Sequence, residues 1–303
     1  MRTLVTGAGG YIGLHILREL LEDGQQVTAL LRAPEKLGNF ARHPGLRIVV
    51  ADLEDTARVN AALADHDTCI HAALIWGTPG EELEARDVAA CARLFDAAGR
   101  AGVARCIYLS SAAVHRPFAG VMDEDDSLRP ADLYGATKAA GELFLRAACA
   151  QHRMTGIVVR PGPVVGPPAF PGGSLRSPGP IVEMVQAAAE GSPLTVMGED
   201  GRQFTDVAAL ARAMRLLTRT ADPHPTYLCV DRELIIWQRI AKMVLGCANS
   251  PSSVRLLPRQ GPDPIPHFRT ERIESLLGGP TDAAAAMAQH IRLLCESDRR
   301  RAS

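Results

Sequence analysis

The sequence predicts an α/β protein built on a doubly wound parallel sheet, with a smaller, mixed region toward the C-terminus. Three observations carry that expectation. A short apolar run, Leu4-Val5, is followed by a glycine turn and an amphipathic stretch over residues 11–21, the order strand, turn, helix. Apolar runs of strand length then alternate with stretches of helical period through residue 160, the pattern of a parallel sheet. Composition shifts at Pro161: residues 161–180 hold seven prolines and five glycines and read as mostly loop.

The elements follow in order. In Thr6-Gly7-Ala8-Gly9-Gly10-Tyr11-Ile12-Gly13 three glycines have separate jobs. Gly7 allows a sharp turn off the strand, Gly10 lets backbone N–H groups approach a ligand, and Gly13 lets the helix pack closely on the strand. The helix N-terminus presents donors suited to a pyrophosphate; a glycine-rich turn with no ligand is the alternative. Gly24 suits a helix stop. Residues 26–31 are the second strand, 47–51 the third, 57–63 a helix, and 67–71 the fourth strand, followed by the small residues Ala72 and Ala73. Residues 82–99 read as a long helix and 106–111 as the fifth strand, ending in Ser110-Ser111. An acidic loop over 123–132 leads into a helix over about 134–151, and 157–160 form a sixth strand. Beyond the loop, helices are expected near 181–190, 207–218 and 234–245, a strand at 226–230, and helix through the alanine run 283–286.

The whole chain bounds the function. Its 303 residues are ample for a buried core, and a net charge of −1 offers nothing to nucleic acid or to a membrane surface. No apolar run approaches the length of a membrane span, and the first strand begins too early to leave room for a signal peptide. Seven scattered cysteines without a CxxC pair point to reduced, cytoplasmic thiols and to no metal site. Of the 33 basic residues only Lys36, Lys138 and Lys242 are lysine, so each lysine invites a reason.

Tyr134 and Lys138 stand four apart at the start of a helix, hence on one face. A free tyrosine ionises near pH 10; a neighbouring ammonium favours the phenolate. Such a tyrosine exchanges a proton with a substrate oxygen, typically for about 10²–10⁴ in rate. Ser111, on the carboxyl edge of the sheet, is placed to hydrogen-bond that oxygen. No Gly-x-Ser-x-Gly elbow surrounds it, which argues against a hydrolase. Arg32 ends the second strand, where a dinucleotide fold meets the adenosine ribose. With Lys36 it forms either a grip for a 2′-phosphate or a solvated pair at a strand end. Asp52 and Leu53 follow the third strand at the place of the adenine edge. His71, taken alone, reads as structural.

These residues resemble the extended short-chain dehydrogenase/reductase family, also called the NAD-dependent epimerase/dehydratase family. The resemblance covers about residues 1–215. It rests on Thr6-Gly7-x-x-Gly10-x-x-Gly13, His71-Ala72-Ala73, Ser110-Ser111-x-x-Val114, Tyr134-Gly135-Ala136-Thr137-Lys138 and Arg160-Pro161-Gly162-Pro163-Val164-Val165-Gly166-Pro167. It implies a Rossmann sheet and a catalytic trio of Ser111, Tyr134 and Lys138. It also implies a pyrophosphate on the glycine loop and an adenine flanked by Asp52 and Leu53. Tyr11 and Ile12 in the loop, Ala72, Ala73, Pro161 and Val164 are assigned to the cofactor with them, as are Tyr134 and Lys138. The dinucleotide unit is expected over 1–166, rejoined by about 205–230, and the substrate region over 167–204 and 231–303.

Departures from the family pattern narrow the activity. Its 4,6-dehydratases carry an Asp-Glu pair where this chain has Ala112-Ala113. Its sugar-nucleotide epimerases usually have Asn at the place of Pro163 and Tyr-Gly at the place of His115-Arg116. Arg202 is similar to the family's diphosphate-contacting arginine, and Ser111, His115 and Arg202 are the expected substrate residues. The pattern Pro161-x-x-Val164-x-Gly166-Pro167, with Arg32, is closer to the reductase branch. The expected activity is therefore an NAD(P)-dependent oxidoreductase, with NADP(H) favoured and NAD(H) the alternative. A nucleotide-sugar epimerase and a non-catalytic dinucleotide sensor are the rival readings. A homodimer is expected through residues 87–98 and 137–148, whose helices are apolar around much of their circumference.

Overall fold

A computed structural model describes residues 1–75, 83–260 and 265–302. Seven strands form one parallel sheet: β1 Arg2–Thr6, β2 Gln26–Leu31, β3 Leu46–Val50, β4 Thr68–His71, β5 Arg105–Leu109, β6 Thr155–Pro161 and β7 Thr226–Cys229. Their spatial order is β7-β6-β5-β4-β1-β2-β3, so the chain reverses direction across the sheet between β1 and β4. Val5 pairs with Ala29 on one side and Ile70 on the other. A crevice beyond the strand ends at such a switch point is where an open α/β sheet takes its ligand.

Alternate side chains of each strand serve opposite faces. Val5, Ala29, Ile70, Ile107 and Val159 pack under α1 (Tyr11–Glu22), α6 (Val207–Leu217) and α8 (Glu271–Leu277). Leu4, Leu30, Cys69, Cys106 and Val158 pack under α2 (Thr56–Leu63), α3 (Leu83–Arg100) and α4 (Leu133–His152). Arg215 ties α6 to α1 through Glu19 at 3.0 Å and Asp23 at 3.3 Å. A separate apolar core lies among α5 (Gly179–Ala189), α7 (Trp237–Ala248) and α9 (Ala283–Ala302).

Two expectations change. The helix expected at 234–245 begins only at Trp237, because Leu234–Ile236 is a strand paired antiparallel with Gly201–Gln203. Its Ile235-Ile236 pair is β-branched and suits a strand better than a first helical turn. The Pro-rich loop is not wholly irregular either: Val164–Val165 pairs with Thr205–Asp206. Glu82, the expected start of α3, lies outside the described residues. Gly24 does close α1, in the left-handed region at φ 72°, and α9 begins in the alanine run.

The deepest polar contact joins α4 to the sheet. Arg160 on β6 is 1% exposed and Glu142 on α4 is 0% exposed. Arg160 donates to Glu142 Oε1 at 2.9 Å and Oε2 at 2.7 Å. It also donates to the Glu124 carbonyl at 3.1 Å, and Ser110 Oγ donates to Glu142 at 2.6 Å. Removing one partner strands a buried charge. Arg160→Met is therefore expected to cost about 3–5 kcal/mol of stability in urea unfolding. The double variant Arg160→Met/Glu142→Leu should recover much of that loss, since an apolar pair leaves no uncompensated charge.

Candidate active site

The β1–α1 turn is shaped by what a side chain would strike. Gly7 has φ 69°, and a Cβ there would sit 2.6 Å from the Ala73 backbone nitrogen. A Cβ on Gly13 would meet the Gly7 carbonyl at 2.1 Å. Gly10 caps α1 and donates to the Gly7 carbonyl at 2.9 Å. The first turn of α1 thus opens toward the crevice with N–H groups, no acid in it, and no side chain in the way. That is a cradle for a pyrophosphate, and a dinucleotide fits it. Tyr11 does no acid–base work: it donates to the Gly166 carbonyl at 2.9 Å, and burial, then Asp206, push its phenol far above the ordinary range.

The crevice is a cavity of about 1000 Å³. It brings together Gly7, Gly10, Tyr11, Ile12, Gly13, Arg32, Lys36, Asp52, Leu53, Ala72 and Ala73 with Ser111, Tyr134, Lys138, Pro161, Val164 and Arg202. On the β2 side of the cavity, Arg32, the residue after that strand, lies 3.6 Å from Asp52, so this cation has a carboxylate beside it. Lys36 packs over Gly9, whose Cβ would lie 3.3 Å from the Lys36 Cβ.

At the other end the helix start is fixed by its cap. Asp132 Oδ1 accepts from Gly135 N at 2.7 Å, and its Oδ2 accepts from Arg116 at 2.8 Å. These contacts hold the Asp132 carboxyl below its ordinary range, the Gly135 N–H foremost. Gly135 presses against the turn Ala112–His115, where a Cβ would come within 2.7 Å of the Ala113 carbonyl. Ser111 caps that turn, accepting from Ala113 N at 3.2 Å. Lys138 is 4% exposed; it donates to the Leu109 carbonyl at 3.1 Å and lies 5.0 Å from the centre of the Tyr108 ring. Tyr134, one turn earlier, is 37% exposed.

His115 is not at the cavity. It is buried, within 3.0 Å of Arg160 Nη1 and packed near Phe268. Burial, then Arg160, lower its pKa to about 4. The reason is positional: the turn after Ser111 directs His115 into the Arg160–Glu142 cluster and its neighbour Arg116 toward the crevice. His71 is structural as expected. It shares a 2.7 Å hydrogen bond with Thr6 Oγ1, stacks on Tyr108, and is lowered to about 3 by burial first. The sequence reading missed Arg116, Phe118, Arg176, Gln203 and Phe268, which also line the cavity. Only the exchange of Tyr-Gly for His115-Arg116 hinted at one of them. Among the described residues no cluster of His, Cys, Asp or Glu could hold a metal ion.

Comparison with known proteins agrees with this geometry. The model of the NAD dependent epimerase/dehydratase family matches residues 3–229. The chain is 30% identical to a dTDP-4-dehydro-6-deoxy-D-allose reductase of Streptomyces sp, over 84% of this chain and 83% of that protein. MoeE5, solved with UDP-glucose and NAD, superposes with a TM-score of 0.77 at 28% identity, over 100% of both chains. UDP-glucuronic acid 4-epimerase from Bacillus cereus, solved with NAD, has a TM-score of 0.84 over 98% of this chain and 99% of that one. At 19% identity that second likeness is one of fold.

Gly7→Ala tests the cradle. The new methyl group meets backbone rather than a movable side chain, at a φ that L-residues resist. Dinucleotide binding, followed by nicotinamide fluorescence, is expected to fall by at least tenfold; unchanged affinity would show that the turn does not hold the ligand.

Proposed function

The chain belongs to the NAD-dependent epimerase/dehydratase family, and we propose that it is an oxidoreductase acting reversibly at a carbinol or ketone carbon of a small-molecule substrate. The observation that supports this most is that Ser111, Tyr134 and Lys138 line the same cavity as the glycine cradle. When bound, a nicotinamide dinucleotide supplies or accepts the hydride. Tyr134 exchanges the proton of the substrate hydroxyl, Lys138 supplies a positive charge one helical turn from it, and Ser111 orients the oxygen. Ala112 and Ala113 leave no carboxylate beside Ser111 for the elimination of water. Tyr134→Phe removes the transferable proton and little else. Turnover should drop by about 10²-fold or more with cofactor affinity near wild type; turnover within a few-fold of wild type would sink the assignment.

A nucleotide-sugar epimerase is the second reading. Arg202 supports it: it lines the cavity, and its guanidinium is held by Asp200 at 2.8 Å and by the Gly201 carbonyl at 2.6 Å. MoeE5, solved with UDP-glucose, supports it too. An epimerase returns its cofactor unchanged, so net change in nicotinamide absorbance separates the two readings.

For the cofactor, the proposal is NADP(H) over NAD(H). Arg32 and Lys36 both line the cavity where the adenosine would lie, and the residue after β2 is a cation rather than an acid. Asp52 opposes this by offsetting part of the Arg32 charge, and MoeE5 is solved with NAD. A charge-assisted contact with a phosphate contributes about 1.5–3 kcal/mol. Arg32→Ala is therefore expected to lose about tenfold or more in NADPH affinity and little in NADH affinity, read by calorimetry. NADH binding as tightly as NADPH to the wild-type protein would reverse the preference.

For assembly, the proposal is a homodimer through α3 and α4. Leu133, Ala136, Ala140, Leu143 and Phe144 share one face of α4 by helical spacing. Leu133 is 69%, Leu143 57% and Phe144 42% exposed, an apolar stripe of the kind that marks an interface. Light scattering should give twice the 32.4 kDa chain mass, and Leu143→Glu/Phe144→Glu should give the chain mass. No described helix is long and apolar enough to cross a membrane, and the seven free cysteines support a cytoplasmic setting.

A further inference from the structure

We propose that Arg116 is a specificity-determining residue of the site, and that with Arg202 it clamps an anionic oxygen group of the substrate, a carboxylate or a phosphate. The inference rests on the reading of the cavity as a site for a dinucleotide and a substrate. Among the described lining residues the cations are Arg32, Lys36, Arg116, Lys138, Arg176 and Arg202, and the one acid is Asp52. Arg32 and Lys36 are proposed for the cofactor and Lys138 for the catalytic trio. Arg116, Arg176 and Arg202 have neither role. A second cavity, of about 370 Å³, is lined by Arg116, Pro117, Phe118, Ala131, Asp132 and Arg202. It shares Arg116, Phe118 and Arg202 with the first, so two guanidiniums from distant segments of the chain border both cavities.

The part of each guanidinium left for a ligand carries the argument. Arg116 donates through Nη1 to Asp132 Oδ2 at 2.8 Å. Arg202 donates through Nη1 to Asp200 Oδ1 at 2.8 Å and to the Gly201 carbonyl at 2.6 Å. Among the described residues, neither donates from Nε or Nη2. That edge holds two parallel N–H donors, the fork that fits a carboxylate or phosphate in a bidentate pair. Elsewhere in this protein the same edge closes on a carboxylate. Arg86 on Glu54, Arg160 on Glu142 and Arg232 on Glu274 each engage both oxygens through Nε and Nη2. At Arg116 and Arg202 the acid sits on Nη1 instead, and the fork is left for another anion. Their side chains are 49% and 38% exposed, so the fork is within a ligand's reach. Arg116 is also held in place: Gly135 N fixes Asp132 at 2.7 Å, and the guanidinium carbon lies 5.7 Å from the centre of the Phe118 ring. Asp132 stands two residues before Tyr134, so the clamp is anchored to the helix start that carries the proposed proton donor.

The test follows the arginine Nε–Hε signals by NMR in full-length protein labelled with nitrogen-15 arginine, in the presence of NADPH. Inorganic phosphate, or acetate in a second series, is added at constant ionic strength. Arg116→Gln and Arg202→Gln each remove one signal and so assign the two. Both signals should move along one saturating curve in at least one series, and the series that saturates at the lower concentration tells phosphate from carboxylate. In either variant the remaining signal should saturate at a concentration about tenfold or more higher. Arg116→Lys keeps the charge without the fork and should also weaken binding. Arg146→Gln, on an exposed residue of α4, should leave binding unchanged. An Arg116 signal that stays still in both series, or drifts without saturating, overturns the proposal. So does saturation confined to one of the two arginines, wild-type binding by Arg116→Lys, or an equal loss in Arg146→Gln. The signals report each arginine separately and need no turnover, so failure here is distinct from failure of the Tyr134→Phe prediction.

Discussion

The placement of the candidate site depends on one buried ion pair, Arg160 with Glu142. Both charges have left water, and the geometry compensates them: two short contacts between guanidinium and carboxylate, with Ser110 and the Glu124 carbonyl taking further capacity. The pair spans three parts of the fold. Arg160 lies at the carboxyl end of β6, Ser110 follows β5, and Glu142 lies in α4. Tyr134, Lys138 and Glu142 stand four apart, so they share one helical face. Fixing Glu142 against the sheet therefore sets the rotation of α4 about its axis, and with it the side of the helix on which Tyr134 and Lys138 stand.

Rotation alone does not set depth. Two glycines let α4 sit close. A Cβ on Gly141 would meet the Tyr108 hydroxyl at 2.5 Å, and one on Gly135 would press the turn after Ser111. The same device operates at the opposite end of the cavity, where Gly7 and Gly13 bring backbone against backbone. Where polar groups must meet a ligand at hydrogen-bond range, side chains are stripped from the contacts behind them. The cost in chain entropy falls at a few positions and is spread over a sheet whose core is otherwise ordinary.

Most of the fold was legible in the sequence because it rests on local signals. Period, turn glycines and short apolar runs placed the seven strands of the sheet within a few residues. Two of the three lysines also proved informative: Lys36 and Lys138 line the cavity, whereas Lys242 does not. What failed to read were contacts between distant segments. Arg160 and Glu142 are ordinary polar residues until β6 and α4 are brought together. His115 and Arg116 are adjacent in the chain, and only the turn at Ala112–His115 decides that one points into the core and the other toward the cavity. Residues 234–236 carry apolar residues compatible with strand or helix, and their pairing with Gly201–Gln203 settles it. Much of the cavity wall is assembled from loops and strand ends far apart in sequence, among them Phe118, Arg176, Gln203 and Phe268, and no local pattern links them.

The cavity concentrates positive charge in a chain whose net charge is −1. Arg32, Arg116 and Arg202 line it, and each has one acid beside it: Asp52 at 3.6 Å, Asp132 at 2.8 Å and Asp200 at 2.8 Å. Their side chains are 69%, 49% and 38% exposed, so these pairs add little to stability. Their effect is orientation. Asp52 is held by the Glu54 N–H and Asp132 by the Gly135 N–H, so the backbone fixes the acid and the acid steers the guanidinium. A guanidinium held at one edge keeps other N–H donors for a ligand. An anion that takes them meets a group already aimed, at a smaller entropic cost than a free side chain would impose. Three such groups lining one cavity together with the glycine cradle suit a ligand set that carries negative charge at several points.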